Sequence, residues 1–163
     1  MRYEDVPESL KEVVKQVINE NFPELAAPGI MCVFDEKLKI SKGKIILAQI
    51  KKANEVEKFL SLDDKEFEEG PDYIIFINKK AWELADAQDK IRLIRHELRH
   101  TLVDLDHEKN PYKIVPHDLE DFHAEVVLNT DKPRWAEDLG LRVKTAYEID
   151  QSAPIEEVTG EER

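Results

Sequence analysis

Residues 94–102 read Ile-Arg-His-Glu-Leu-Arg-His-Thr-Leu, and this HExxH run inside a helical periodicity constrains the chain more than any other stretch. On an α-helix His96 and His100 lie one turn apart on the same face, so both imidazoles can reach one ion, with Glu97 beside the first. Neutral imidazole is a good zinc ligand, and a carboxylate next to such a pair can hold and deprotonate water, so these residue types at this spacing point to hydrolysis. Ile91, Ile94, Leu98, Leu102 and Leu105 form an apolar stripe nearly opposite the two histidines. The pattern predicts a helix that continues past His100, one face core and the other face site.

A catalytic zinc commonly takes three protein ligands plus water, so the pair needs a third. His107 fits poorly: six residues separate it from His100, where the HExxHxxGxxH pattern has five, and the glycine of that pattern is missing. His117, at the mouth of a following helix, can be returned to the site by the loop before it. A carboxylate from Glu120 or Glu125 is the alternative. Asp104, one turn past His100, is a candidate to orient a histidine. Tyr112 and His123 are within sequence reach as oxyanion donors, although packing and surface roles are the ordinary ones for such residues.

With 163 residues the chain suits one domain with a real core, and we assign residues 1–149 to it and 150–163 to an acidic tail expected to be poorly ordered. A formal net charge of −12 opposes non-specific attachment to nucleic acid or anionic membrane. Arg92, Arg95 and Arg99 are the only dense basic set, and they read as a helix flank paired with nearby acids rather than a nucleic-acid patch. Cys32 is the sole cysteine, which excludes an internal disulfide and a cysteine zinc ribbon and fits a reducing compartment. It reads as a core thiol. The start is polar, and no apolar run approaches bilayer length, so the expectation is a cytoplasmic protein with no membrane partner.

Along the chain, Glu8–Glu20 carries Leu10, Val13, Val14, Val17 and Ile18 at helical spacing, closed by Asn21-Phe22-Pro23. Ile30–Phe34 reads as a buried strand, and Ile45–Ile50, after the turn signal Ser41-Lys42-Gly43, as a second. Asn54 and Glu57 form a capping-box pattern opening a short helix to Leu60, followed by an acidic loop, 63–71. Tyr73–Asn78 is the strongest strand, and it can border a substrate cleft with a free edge for an extended peptide. A helix from Lys80 is interrupted and recapped near Asp86 and Asp89. After a break at Asn110-Pro111 and an extended Tyr112–Val115, a helix capped by Asp118 is expected to bury Leu119, Phe122 and Val126 and end near Asn129. Trp135 and Leu139 could close the fold.

The pairing of His96-Glu97-Leu98-Arg99-His100 with the later His117-Asp118-Leu119-Glu120-Asp121-Phe122 resembles the putative phage metallopeptidase family, itself similar to SprT-like (Spartan-type) zincins. The resemblance covers about Ile30 to Trp135. It implies an α+β fold, a compact mini-zincin with a small mixed sheet packed on the HExxH helix, and a third zinc ligand, His117, just before the helix that follows. Asp118 departs from the small residue of the SprT-like pattern, and the missing cysteine ribbon argues against a DNA-linked role.

The expected activity is that of a zinc metallopeptidase, hydrolysing peptide bonds of a peptide or protein substrate with a zinc-bound water and Glu97 as general base. A non-catalytic metal-stabilised interaction module is the alternative. Glu97 speaks against it, because a structural site prefers four protein ligands and needs no base.

Overall fold

The computed structural model describes residues 1–63, 66–117, 122–150 and 154–157, with the side chains of His123 and Glu157 outside that description. The fold is α+β. Its main sheet has the order β1 (Tyr3–Asp5), β2 (Ile30–Asp35), β6 (Tyr73–Asn78), β5 (Ala48–Lys52). The sheet is mixed: β2 and β6 run parallel, from Ile30↔Tyr73 to Asp35↔Asn78, while β1 and β5 are antiparallel to their neighbours. Tyr73, Ile74, Ile75 and Ile77 are all buried, as expected of β-rich side chains in a strand with partners on both sides. The Tyr73–Asn78 strand therefore lies inside the sheet and offers no free edge, contrary to expectation. The outer strand next to it is β5.

Two helices bring the core onto this sheet. Helix α1 (Glu8–Asn21) buries Leu10, Val14 and Val17, an i, i+4, i+7 stripe, and packs on α4 (Ala87–Leu98). The predicted capping box is present at α2 (Glu55–Leu60): the Asn54 side chain accepts from Glu57 N at 2.8 Å, and the Glu57 carboxylate accepts from Asn54 N at 3.0 Å. Gly70, at φ +79°, turns the chain into β6, and a Cβ there would meet the Lys58 backbone at 2.7 Å. Helix α3 (Lys79–Leu84) follows β6 directly, and Asp86 then caps α4, its side chain accepting from Asp89 N at 2.8 Å.

Two expectations are corrected, and two further elements join the fold. The apolar run 45–50 is two strands, because buried Leu47 interrupts it: β4 (Lys44–Ile46) pairs with β3 (Leu38–Ser41) through a Lys42-Gly43 turn with positive φ, and β5 joins the main sheet. Leu102 and Leu105 do not extend the stripe of α4. The helix ends at Leu98, and Thr101–Val103 becomes β7, antiparallel to β8 (Tyr112–Ile114), leaving Leu102 and Leu105 exposed at 47% and 81%. Residues 135–149 form a full helix, α6 (Trp135–Ile149), on which Trp135, Leu139, Val143 and Tyr147 are buried at intervals of four. Ile155–Glu157, within the stretch expected to lack order, forms β9 parallel to β3, where Arg2 and Lys37 meet Glu156 at 3.2 and 3.6 Å.

Among the described residues no helix is long and apolar enough to cross a membrane. Cys32 on β2 is half-buried, and burial pushes its thiol up to about 12, which suits an unreactive structural cysteine.

Candidate metal centre

From Asp89 to His100 every side chain of the α4 segment is buried or half-buried, so the HExxH helix is central rather than amphipathic at a surface. Its expected basic flank is consumed in ion pairs. Arg92 reaches Asp89 at 2.9 Å and also Asp131. Arg95 and Arg99 both reach Glu125, on helix α5 (His123–Leu128), at 2.7 and 3.0 Å.

The helix closes so that His100 keeps its relation to His96. Arg99 N still donates to Arg95 O at 3.1 Å, His100 N tightens to Glu97 O at 3.1 Å, and Thr101 Oγ1 donates to Leu98 O at 2.7 Å. The two imidazole centroids are 5.5 Å apart. The β7–β8 hairpin then folds the chain back, and two bonds tie its end to His100. Val115 N donates to His100 O at 2.6 Å, and His100 Nδ1 meets Val115 O at 2.7 Å. Two residues later comes His117. Its ring centroid lies 4.6 Å from that of His100 and 4.9 Å from that of His96.

Among the described residues these three imidazoles are the group that could hold a metal ion: one ring nitrogen from each of His96, His100 and His117 falls within 4.8 Å of the others. A carbonyl oxygen can only accept, so the Val115 contact puts the proton of neutral His100 on Nδ1 and leaves Nε2 as its lone-pair atom. That is the tautomer a metal ligand requires, held by a backbone acceptor behind the ring. His96 Nε2 and His117 Nε2 are 3.0 Å apart. Tetrahedral ligands at the usual zinc–nitrogen distance of about 2.0–2.1 Å would stand about 3.3 Å apart, so the spacing suits a small cation with nitrogen ligands. Phe122, itself buried, packs its ring against all three imidazoles at 5.4, 4.8 and 5.0 Å and makes one side of the group apolar. Glu97, next to His96, is buried.

The sequence model of the putative phage metallopeptidase family matches residues 1–147, which takes in all three histidines and Glu97. The chain belongs to the putative phage metallopeptidase family. Membership suggests a metal-dependent hydrolase, in keeping with the three-histidine group. No curated protein and no solved structure matches it.

Other candidates from the sequence fall elsewhere. His107 lies on the hairpin turn, its Nδ1 accepting from Asn110 N at 3.1 Å, and is not in the group. Glu125 is committed to Arg95 and Arg99, and Glu120 lies outside the described residues. Asp104 accepts from Lys113 Nζ at 3.1 Å, which holds its carboxyl below the ordinary value, and the Val115 carbonyl has the orienting contact expected of it. Tyr112 packs edge-on to Tyr73 at 6.0 Å. The His123 side chain and Asp118 lie outside the description. Phe122 and the Val115 carbonyl were not legible as site groups, because Phe122 read as a core side chain, a backbone carbonyl carries no sequence signal, and both act through folded proximity.

Proposed function

We propose that this protein is a zinc-dependent peptidase in which His96, His100 and His117 hold the ion and Glu97 is the general base, acting on a peptide or protein substrate. The observation that carries this reading is the convergence of three ring nitrogens within 4.8 Å of one another, next to a buried carboxylate in the same helical turn. Among the described residues the group has three members, the number that catalytic zinc sites use when they keep a position open, whereas structural sites use four.

Zinc bound there supplies Lewis acidity, making water acidic enough to lose a proton near neutral pH and polarising a peptide carbonyl. In this reading Glu97 takes that proton and returns it to the leaving amine. The bond from His100 Nδ1 to Val115 O keeps Nε2 available as a ligand and fixes the ring plane. Phe122 keeps water from one flank of the three rings, which strengthens the electrostatics inside. The catalytic unit is residues 1–149.

Purified protein assayed on casein and on a peptide library, with and without chelator, tests the reading. Cleavage should depend on the metal. Glu97→Gln should lower kcat by at least about 100-fold, the usual worth of a positioned general base, while zinc content and fold are kept. Wild-type protein that carries zinc and yet cleaves nothing, with Glu97→Gln indistinguishable from it in every readout, would mark a metal-stabilised interaction module instead.

A further inference from the structure

Helix α5 is turned the wrong way round for an ordinary amphipathic helix. Val126, Val127 and Leu128 are 46–58% exposed, while Glu125 and Asn129 are buried. A carboxylate with no solvent access is costly unless its charge and lone pairs are matched. Here each carboxylate oxygen has a directional, charged partner. Arg95 Nε donates to one Glu125 oxygen at 2.7 Å, Arg99 Nε donates to the other at 3.0 Å, and Arg95 Nη2 donates to Asn129 Oδ1 at 2.6 Å. Arg95 directly precedes His96, and Arg99 directly precedes His100. One carboxylate thus bridges the two residues that flank the histidines of the HExxH run.

The other end of α5 touches the same histidines. Glu125 N donates to Phe122 O at 2.9 Å, so Phe122 sits one turn before Glu125, with its ring edge-on to His117 at 5.0 Å and 87°. Two charge-assisted contacts from guanidinium forks set an orientation that an apolar face would leave loose.

We infer that Glu125 is a positioning residue for the metal centre: by locking α5 to Arg95 and Arg99 it fixes Phe122, and through Phe122 the ring of His117, so that the third imidazole stands ready beside His96 and His100. The inference rests on the reading of these three histidines as metal ligands.

Zinc dissociation constants, measured by competition with a chromophoric chelator on metal-free protein that circular dichroism shows to be folded, test it. Glu125→Gln is isosteric, but its amide turns a donor toward one guanidinium and removes the counter-charge of both. It should raise the zinc Kd by about 10–100-fold, the usual cost of removing a group that orients a ligand. In a His117→Ala background the same change should alter Kd by less than about twofold, because its effect runs through a ligand already gone. Asp89→Asn, an equally buried carboxylate at the far end of α4, should leave Kd within about twofold of wild type. If Glu125→Gln does not fold, Arg99→Gln strips one donor from Glu125 at its more exposed end and should give a smaller loss, at least about threefold, again silent without His117. A wild-type Kd in these variants, an equal loss with and without His117, or an equal loss in Asp89→Asn would overturn the inference. A wild-type Kd in His117→Ala alone would instead reject the ligand assignment beneath it.

Discussion

Replacing Asp89 by Ala is expected to destabilise the metal-free protein by about 3 kcal/mol, at the lower end of the roughly 3–5 kcal/mol that removal of one partner costs a buried ion pair. The magnitude follows from which contacts are dry. The Asp89 carboxylate has no exposure and takes Arg92 Nη1 at 2.9 Å, the Arg92 side chain being only 6% exposed. Lys132 at 3.2 Å and Arg142 at 3.6 Å also reach it, but these side chains are 35% and 49% exposed, and pairs of that kind contribute little. Loss of Asp89 therefore strands one buried guanidinium, and the well-hydrated Asp131 remains to offset part of the cost. For a chain of this length about 3 kcal/mol corresponds to a fall in Tm of about 6–12 °C. Thermal unfolding followed by circular dichroism, on chelated protein so that metal binding does not mask the change, gives the answer. A fall of less than about 2 °C would show that Asp131 alone satisfies Arg92 and would refute the reasoning from burial.

Alkaline pH gives a second test. Burial pushes the Tyr73 hydroxyl up to about 12, against about 10 for an unfolded tyrosine, so the neutral form is favoured in the fold; the stability it contributes is whole below about pH 10 and is lost as pH rises through about 12. Burial raises Tyr147 in the same direction, so native titration at 295 nm should show Tyr73 and Tyr147 ionising late, and ionisation of both near pH 10 would contradict this. Tyr73→Phe removes a hydrogen bond to Lys113 O of 2.9 Å and should cost about 1 kcal/mol in denaturant melts. Cys32, with its thiol pushed up to about 12, should resist iodoacetamide at pH 8 in the native protein and react once unfolded; fast native alkylation would place it in a different environment. Asn54→Ala breaks the capping box of a helix that buries nothing, so amide exchange across 55–60 should accelerate while Tm moves by less than about 2 °C.

The elements legible in the sequence are those whose periodicity and burial agree. Helix α1, strand β6 and the Asn54–Glu57 box all have local patterns that tertiary packing leaves intact. Helix α4 was overextended because Leu102 and Leu105 continue its stripe by coincidence, whereas Thr101–Val103 pairs with β8. His117 was legible as a third ligand from its chemistry and from the family resemblance, but the hairpin that delivers it to the site was not. Helix α5 misled for a different reason: its inward residues are Glu125 and Asn129, and no hydrophobic pattern reports a buried face made of charge pairs. The cleft-edge reading of Tyr73–Asn78 failed because a strand's neighbours are a property of topology.

Zinc K-edge absorption on protein loaded with one equivalent of zinc tests the central claim most directly, because imidazole rings scatter in a way that lets them be counted. Three imidazoles at about 2.0 Å with one further light ligand is the predicted first shell. Two imidazoles or fewer, or a fourth protein ligand closing the shell, would contradict the assignment of His96, His100 and His117 to an open catalytic ion.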